Sequence, residues 1–231
     1  MTSTGPKTSA ISVIIPTLNE EDNLDRLLSR LGGRPDLEII VVDGGSTDRT
    51  LDAARRHGVR VVRTDPGRGE QLSRGVAEAS GETLLFLHAD TRLPDDFAAR
   101  IRTILALPNT AAGAFRLQID APGAGYRCIE WGANLRSRLL KMPYGDQAIF
   151  VPAGVLRRAG GVPRQPILED VTLIRRLKRC GKIRIAPIAV VTSARRWQRL
   201  GLVRTTLHNQ LMLLGAACGV SPKALYRFYT R

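Results

Sequence analysis

The sequence predicts an α/β fold in which a mostly parallel sheet is flanked by helices. Short apolar runs with the character of buried strands alternate with stretches of helical periodicity, which is the pattern of βαβ units. In addition, polar loops leave the first four predicted strands. This is expected at the carboxyl ends of strands, where open α/β sheets bind their ligands.

Four predicted strands, each followed by a predicted helix, make up the first part of the chain. The strands are expected at residues 11–15, 37–42, 59–63 and 84–87. The helices are expected at residues 20–31, 48–57 and 69–79, and from Pro94 onwards. Asn19 is expected to cap the first helix and Ser46 or Thr47 the second, because short polar side chains accept hydrogen bonds from the free amides of a helix start.

The rest of the chain continues this alternation less regularly. Further strands are expected at residues 114–119, 148–151 and 183–191, and further helices at residues 126–140, 169–180 and 200–218. The last of these strands contains Pro187, which predicts either an interruption or an edge position because proline donates no ladder hydrogen bond.

The last predicted helix is amphipathic. The residues near its apolar face are Leu202, Val203, Leu207, Leu211 and Leu214. We expect this face to pack against the core, with contact to a membrane surface or to a second subunit as alternatives. Because the chain shows no repeat and no linker, we expect a single domain over residues 1–231, with a disordered tail at residues 1–10.

The chain is strongly basic, since 35 lysines and arginines against 21 acidic residues give a net charge of +14. Such a charge suits diphosphates, nucleic acids or an anionic membrane face. Cys128, Cys180 and Cys218 share no metal-ligand spacing and indicate a reducing compartment. The start of the chain lacks the apolar segment of a signal peptide, and no run reaches the roughly 18 apolar residues of a membrane span. We therefore expect a cytoplasmic protein, at most peripheral at the inner membrane face.

His88 and Asp90 directly follow the fourth predicted strand. Residues two apart in an extended chain point to the same side, so both side chains can face one ligand. Asp90 is suited to a divalent cation that bridges a diphosphate, and His88 to the same cation or to a phosphate. The alternative is a capping cluster with a surface histidine at the start of the next helix.

Two further candidates lie in the loops before Asp90. Asp43 can accept hydrogen bonds from a sugar hydroxyl or a base, with a turn aspartate as the alternative. Arg68, between Gly67 and Gly69, offers a guanidinium to phosphate. The surrounding residues match neither a Walker motif nor GxGxxG, which argues against an NTPase or a dinucleotide-dependent dehydrogenase.

Two more groups of candidates lie in the second half. Glu169 and Asp170 begin a predicted helix, and one of them could be the general base for an acceptor hydroxyl, with helix capping as the alternative. Arg195 and Arg196 could neutralise a departing diphosphate, and Trp197 could stack on a sugar or an acceptor. The alternative is a solvated basic face at an interface.

Together these segments resemble family 2 glycosyltransferases of the GT-A fold. The matching segments, in order, are residues 16–20, residues 43–48, Asp90, Glu169–Asp170 and Arg196–Trp197. They extend over roughly residues 11–200. More narrowly, residues 88–94, 145–147, 168–171 and 192–197 resemble a small single-domain bacterial branch associated with arsenosugar biosynthesis.

The resemblance implies a GT-A-like, Rossmann-like fold and inverting transfer of one sugar from a nucleotide-diphosphate sugar, such as a UDP- or GDP-sugar, to a hydroxyl acceptor. It also implies a divalent cation, Mn²⁺ or Mg²⁺, and an acceptor that is either a small molecule or linked to a lipid. Residues 11–120 would bind the donor, and residues 121–231 the acceptor.

The resemblance also assigns roles to individual residues. The donor would be bound by Pro16, Thr17, Glu20, Asp43, Arg68, His88 and Asp90, of which Asp90 would be the metal ligand. Asp170 would be the base, assisted by Glu169. The diphosphate or the acceptor would contact Gly145, Asp146, Gln147, Arg195, Arg196 and Trp197.

Two positions depart from the family pattern. His88 replaces the first aspartate of Asp-x-Asp, and Ser193 replaces the glutamine of Gln-x-x-Arg-Trp, which counts against a processive synthase. One rival is a catalytically silent nucleotide-sugar-binding domain. Another rival is a basic nucleic-acid-binding protein. The chain contains no recognition motif for nucleic acid, so no nucleic-acid partner is expected. A nucleotidyltransferase would need a glycine-rich loop where residues 16–20 stand.

Overall fold

The structure is a computed structural model that describes residues 10–229, except for the side chains at positions 217, 223 and 229. The predicted tail at residues 1–10 therefore lies, apart from residue 10, outside the described residues.

The first part of the chain alternates strands and helices as predicted. Its elements are β1 (Ile11–Thr17), α1 (Glu21–Leu31), β2 (Leu37–Asp43), α2 (Thr50–Arg56), β3 (Arg60–Arg63), α3 (Arg68–Glu78) and β4 (Thr83–Phe86). A short strand, β5 (Thr91–Arg92), and the helix α4 (Phe97–Leu105) follow. β5 was not predicted.

The second part begins with β6 (Thr110–Asp120), α5 (Ala124–Leu140), a 3₁₀ turn (Gly145–Gln147), β7 (Phe150–Pro152) and α6 (Ala153–Arg158). It continues with α7 (Glu169–Cys180), β8 (Lys182–Ser193), α8 (Arg195–Leu200), α9 (Leu202–Ala217) and α10 (Pro222–Tyr229). The helices α6, α8 and α10 were not predicted.

The eight strands form one sheet with the order β3-β2-β1-β4-β7-β6-β8-β5. Six strands run in one direction, whereas β7 and β5 are antiparallel to their neighbours. The prediction of a mostly parallel sheet is therefore confirmed. In the register of β1 and β2, Thr17 lies opposite Asp43, so the loops that follow these two strands start side by side.

The sheet is buried on both faces, as parallel sheets require. One core cluster joins the sheet to α1, α2 and α4, and a second joins it to α3, α6 and α7. The helix α3 lies very close to the sheet at Gly75, where a Cβ would stand 2.4 Å from the Ile14 Cγ2 atom. This close packing fixes the start of α3, which carries Arg68, relative to β1.

The predicted helix caps were wrong. Asn19 has a left-handed backbone with φ of 55°, and its Oδ1 accepts a hydrogen bond from the Thr47 amide at 2.8 Å. Asn19 thus bridges two loops and caps no helix. At the start of α2, the carboxylate of Asp48 accepts the Thr50 amide at 2.9 Å, a role that had been assigned to Ser46 or Thr47.

The strand with Pro187 is interrupted and, at the proline, lies at the edge of the sheet. β8 pairs with β6 along its length, whereas on its other side β5 pairs only with Val191 and Thr192. The interruption is a bulge, because Ala114 pairs with Ile185 whereas Arg116 pairs with Ala189. The extra residues on β8 accommodate the proline, whose missing amide then breaks no ladder.

The apolar face predicted for the C-terminal helix does not pack against the core. Val203, Leu207, Leu211 and Leu214 are 66%, 59%, 54% and 60% exposed. The side chains that α9 buries include Thr205 and Met212, which lie on the opposite side of the helix. Among the described residues, no helix has both the length and the apolar character needed to cross a bilayer.

Candidate active site

The loops after β1 and β2 are tied to each other. The Ser46 hydroxyl accepts the Asn19 amide at 2.9 Å, and Asn19 in turn accepts the Thr47 amide. Asp43 is buried at the end of β2, and its Oδ2 accepts the amides of Gly45 and Ser46, each at 3.0 Å. Asp43 therefore supports the turn, as its alternative interpretation predicted. The hydrogen bonds by which Asp43 would hold a base remain a prediction.

Gln71 is a buried residue that the sequence analysis missed. From α3, its Nε2 donates to the backbone oxygens of Thr17 and Val42, both at 2.8 Å. The amide thus joins the carboxyl ends of β1 and β2 beneath the loops that follow them. The available signal was a glutamine one turn before Gly75, on the helix face that packs against the sheet.

Glu20 and Asp90 meet the C-terminal part of the chain through Arg195. The Arg195 guanidinium forms an ion pair with the Glu20 carboxylate across 175 residues. This hydrogen bond raises the pKa of Arg195 against the effect of burial, and the charge of Asp90 raises it further. The three predicted side chains are therefore brought together at one rim of the sheet.

Asp90 is held by the pairing of β5 with β8. The Ser193 amide donates to the Asp90 backbone oxygen at 3.2 Å, and the Thr91 and Thr192 hydroxyls lie 3.2 Å apart. Burial, followed by the charge of Glu20, raises the pKa of the Asp90 carboxyl, whereas Arg195 lowers it. A nearby cation would stabilise the ionised carboxylate, because it offsets both the burial and the negative charge of Glu20.

The extended chain predicted from His88 to Asp90 was wrong, and the binding of one ligand by both side chains remains a prediction. β4 ends at Phe86, and the Thr91 amide donates to the His88 backbone oxygen at 3.1 Å, so the segment is a turn and not an extended chain. Burial, followed by the charge of Arg68, lowers the pKa of His88 well below 6.5. The ring is therefore neutral at pH 7, and its buried Nε2 has no hydrogen-bond partner among the described residues.

Arg68 lies at the centre of the acidic groups. Its Nε is 3.0 Å from the Glu169 Oε1, and Glu169 is buried. Burial works to lower the pKa of Arg68, but the charges of four carboxylates, those of Glu169, Asp170, Asp146 and Asp90, together raise it. Burial and the charge of Asp170 raise the pKa of Glu169 against the effect of Arg68. The guanidinium thus contacts the start of α7 and also lies within the electrostatic influence of Asp90 after β4.

The start of α7 is joined to the 3₁₀ turn. The Asp170 Oδ2 accepts the Gly145 amide at 2.7 Å, and its Oδ1 accepts the Val171 amide at 2.8 Å. A Cβ on Gly145 would lie 1.5 Å from the Arg68 Nη2, so a glycine is needed for the guanidinium to pass. Leu168, just before the two carboxylates, has a left-handed φ of 58°. Such strain, about 1–3 kcal/mol, is often found at functional sites.

The turn residues Asp146 and Gln147 differ in role. Burial raises the pKa of Asp146, and its buried Oδ1 has no hydrogen-bond partner in the described part of the chain. Gln147 is fully buried, donates to the Phe115 backbone oxygen at 2.9 Å and accepts the Ser137 hydroxyl at 2.7 Å. The predicted contact of Gln147 with a substrate was wrong, because this side chain supports the turn from within.

Arg195, Arg196 and Trp197 lie together at the start of α8. Both arginines are exposed, and Arg195 pairs with Glu20. Trp197 packs against a small apolar cluster that includes Leu117 and Ala194, so the structure gives its ring a packing role in place of the predicted free stacking face.

Asp90 also borders a cleft of about 530 Å³ between α1 and the paired strands β5 and β8. A larger cleft of about 670 Å³ lies elsewhere, between α5 and β8. Among the described residues, no three histidine, cysteine or acidic side chains converge as a complete metal site. A cation held by Asp90 would therefore take its other ligands from phosphates and water, as Mg²⁺ commonly does.

Comparison with protein families gives one match of wide extent. The model of the family "Glycosyl transferase family 2" matches residues 12–160. A PGL/p-HBAD biosynthesis glycosyltransferase of Mycobacterium bovis is 40% identical over 161 residues, which cover 64% of this chain and 61% of that protein. A dolichol-phosphate mannosyltransferase of Pyrococcus furiosus is 36% identical over 100 residues, covering 39% of this chain and 28% of the relative. The chain thus spans less than two thirds of the length of these relatives.

Solved structures share the fold. A glucosyl-3-phosphoglycerate synthase of Mycobacterium tuberculosis, in complex with Mn²⁺, UDP and glucosyl-3-phosphoglycerate, has a TM-score of 0.65 at 24% identity. The match covers 92% of this chain and 81% of that one. The mannosyltransferase PcManGT of Pyrobaculum calidifontis, in complex with GDP-mannose and Mn²⁺, has a TM-score of 0.63 at 24% identity. This match covers 79% of this chain and 56% of the mannosyltransferase. The predicted GT-A-like architecture is confirmed by these matches.

Proposed function

The chain belongs to glycosyltransferase family 2, and from this premise we propose that it is an inverting glycosyltransferase. It would transfer one sugar from a nucleotide-diphosphate sugar to a hydroxyl acceptor with the help of a divalent cation. The observation that carries the proposal is the position of Arg68. Its Nε lies 3.0 Å from the Glu169 Oε1, and carboxylates from both the donor half and the acceptor half of the chain raise its pKa.

The donor would lie over the carboxyl ends of β1, β2 and β4. Complexes with UDP and with GDP-mannose among the similar structures favour a UDP- or GDP-sugar, and their Mn²⁺ favours a divalent cation here. Asp90 would hold the cation, because it is a partly buried carboxylate whose pKa is raised by burial and by the charge of Glu20. His88 is suited to a phosphate or to Mn²⁺, because its ring is neutral and its Nε2 is unpaired among the described residues. When bound, the cation would supply Lewis-acid stabilisation of the diphosphate.

Asp170 would remove the proton of the acceptor hydroxyl. The acceptor oxygen then forms a bond to the anomeric carbon on the face opposite the diphosphate, whose bond to that carbon breaks with the electron pair leaving on phosphate. The Gly145 and Val171 amides orient the two Asp170 oxygens, each of which keeps a lone pair for this proton. Glu169 is buried in its ion pair with Arg68 and would position that guanidinium.

Charge on the leaving diphosphate would be stabilised by Arg195, and Arg68 would serve the phosphates or the base. Arg195 is held by Glu20 within reach of the field of Asp90. A guanidinium fixed beforehand needs little reorganisation as charge develops, which is the basis of electrostatic catalysis.

The finer assignments remain proposals of the same kind. Residues 88–94 and 145–147 support membership of the branch associated with arsenosugar biosynthesis, and the acceptor would be a small molecule or a lipid-linked hydroxyl. We propose a cytoplasmic location with contact at the inner membrane face. A homodimer is the alternative use of the exposed apolar face.

The test is a turnover assay with UDP- and GDP-sugars, Mn²⁺ or Mg²⁺ and a panel of hydroxyl acceptors. NMR of the product reads the anomeric configuration, which should be opposite to that of the donor. Retention of configuration would refute the inverting mechanism. Donor binding without turnover across the panel would favour the silent nucleotide-sugar-binding domain.

A further inference from the structure

Positive charge is concentrated in one half of the chain. Residues 121–231 contain 20 lysines and arginines and four acidic residues. Residues 1–120 contain 15 lysines and arginines and 17 acidic residues. No aspartate or glutamate follows Asp170 in the sequence. Residues 121–231 therefore carry a net charge of +16, and residues 1–120 one of −2.

Exposed apolar side chains are concentrated in the same half. Of the large apolar side chains that the described residues expose, all but Leu18 and Leu107 come after residue 130. The helix α9 exposes Val203, Leu207, Leu211 and Leu214, whose spacing places them on one face. Because buried side chains hold the other side of α9, this face is presented outward by the fold.

The helix α5 presents a second apolar face. Trp131, Leu135 and Leu139 are spaced by four residues and are all exposed. The two helices touch where α9 begins, since a Cβ on Gly125 would lie 3.0 Å from a Leu202 methyl. An exposed indole is typical of the boundary between water and lipid.

Cations border the apolar side chains of α5. The cleft of about 670 Å³ between α5 and β8 is lined by Arg116, Arg127, Arg138 and Lys141, with Glu130 as its acidic member. Glu130 is already paired with Arg127 at 2.8 Å. The remaining cations are placed to meet phosphate groups beside an apolar surface.

We propose that the exposed apolar faces of α5 and α9 dock on an anionic phospholipid membrane. Apolar side chains beside arginines match the acyl boundary and the negative headgroups of such a surface. A second copy of this chain would bring two strongly positive halves together, and nucleic acid would leave the leucines without an apolar partner. This inference deepens the membrane contact of the proposed function and does not depend on the transfer reaction.

The test is flotation of the full chain with vesicles of phosphatidylcholine alone and vesicles of equal parts phosphatidylcholine and phosphatidylglycerol. Leu211→Gln removes an exposed leucine of the face, and Leu107→Gln is its matched control outside the face. Arg138→Gln and the control Arg157→Gln, on α6, each remove one exposed charge. All four positions are exposed, so thermal unfolding should report intact folds.

We expect binding to the anionic vesicles and little to phosphatidylcholine. Leu211→Gln should weaken the partition by about five- to tenfold, because a leucine side chain loses its burial in the lipid. Arg138→Gln should weaken it by about fivefold at low salt, and both controls should leave it unchanged. Nucleotide binding, measured in parallel, should be unaffected by all four substitutions.

Three results would overturn the proposal. The first is failure of the wild-type chain to float with anionic vesicles. The second is equal binding by Leu211→Gln and Leu107→Gln, which would mean adsorption by charge alone. The third is a dimer in sedimentation velocity that Leu211→Gln dissociates while flotation is absent, which would make the face a subunit interface.

Discussion

Substitution of Gly145 by alanine tests how closely the turn and Arg68 fit. The new Cβ would lie 1.5 Å from the Arg68 Nη2 and 2.7 Å from its Cζ, so the guanidinium must move. This movement breaks the 3.0 Å ion pair with Glu169, which is 4% exposed. The turn also carries the amide that holds Asp170.

The magnitude follows from two effects. Overpacking costs about 1–3 kcal/mol, and leaving a buried charge unpaired costs about 3–5 kcal/mol. The second figure must be reduced here, because the Arg68 side chain is 33% exposed and can keep part of the interaction through water. We expect the free energy of unfolding to fall by about 2–3 kcal/mol, and affinity for a nucleoside diphosphate to fall with it.

Chemical denaturation of four variants provides the assay. Gly132→Ala is the matched control, because no atom lies within 4 Å of its Cβ position in α5, and it should be neutral or stabilising by up to about 1 kcal/mol. In an Arg68→Ala background the clash is removed, so Gly145→Ala should then have little effect. Equal destabilisation by Gly145→Ala in both backgrounds, or none in the wild type, would refute the reasoning.

Asp170→Asn should lower the rate of sugar transfer by roughly a hundredfold or more and leave nucleotide binding nearly intact. The reason is that the asparagine side chain keeps an oxygen for the Gly145 amide but cannot act as a base. Full turnover in a steady-state assay would exclude the base role. For His88, the folded-state pKa lies well below the unfolded value near 6.5. The unfolded chain therefore binds more protons below that pH, and stability should decline as the pH falls below about 6.5. His88→Gln should flatten this part of the profile in denaturation experiments, and an unchanged slope would show that other groups cause it.

The alternation of strands and helices was predictable because the apolar periodicities are strong in the first half of the chain. β1, β2, β3 and β4 and the helices between them were placed within a few residues. The short strand β5 could not be foreseen, because Thr91 and Arg92 acquire strand geometry through pairing with the distant β8. Such a pairing leaves no local pattern in the sequence.

The candidate site was partly predictable. The sequence predicted that the carboxylates at the strand ends and at the start of α7 would converge, because polar residues at these positions meet at one rim of the sheet. Their partners did not follow, since the ion pairs of Arg68 with Glu169 and of Arg195 with Glu20 join segments more than 100 residues apart. The geometry at His88 was misjudged because a turn replaces the extended chain directly after β4.

The apolar face of α9 shows that hydrophobic periodicity alone does not predict what a helix packs against. A pattern of leucines on one side of a helix indicates that this side avoids water, but it does not say what covers it. The same pattern serves a core helix and a helix on a membrane. The structure decided against the core, because these side chains are exposed in the described chain.

The central claim is that the segment around Asp90 binds a nucleoside diphosphate together with a divalent cation. Calorimetric titration of UDP and of GDP into the protein, with Mn²⁺ and then with a chelator, tests it most directly. We predict that one of the two nucleotides binds in the presence of Mn²⁺, and that the chelator or Asp90→Ala weakens this binding by tenfold or more, roughly the contribution of one charge-assisted contact. Binding that is identical with and without the cation, or identical in Asp90→Ala and the wild type, would contradict the account.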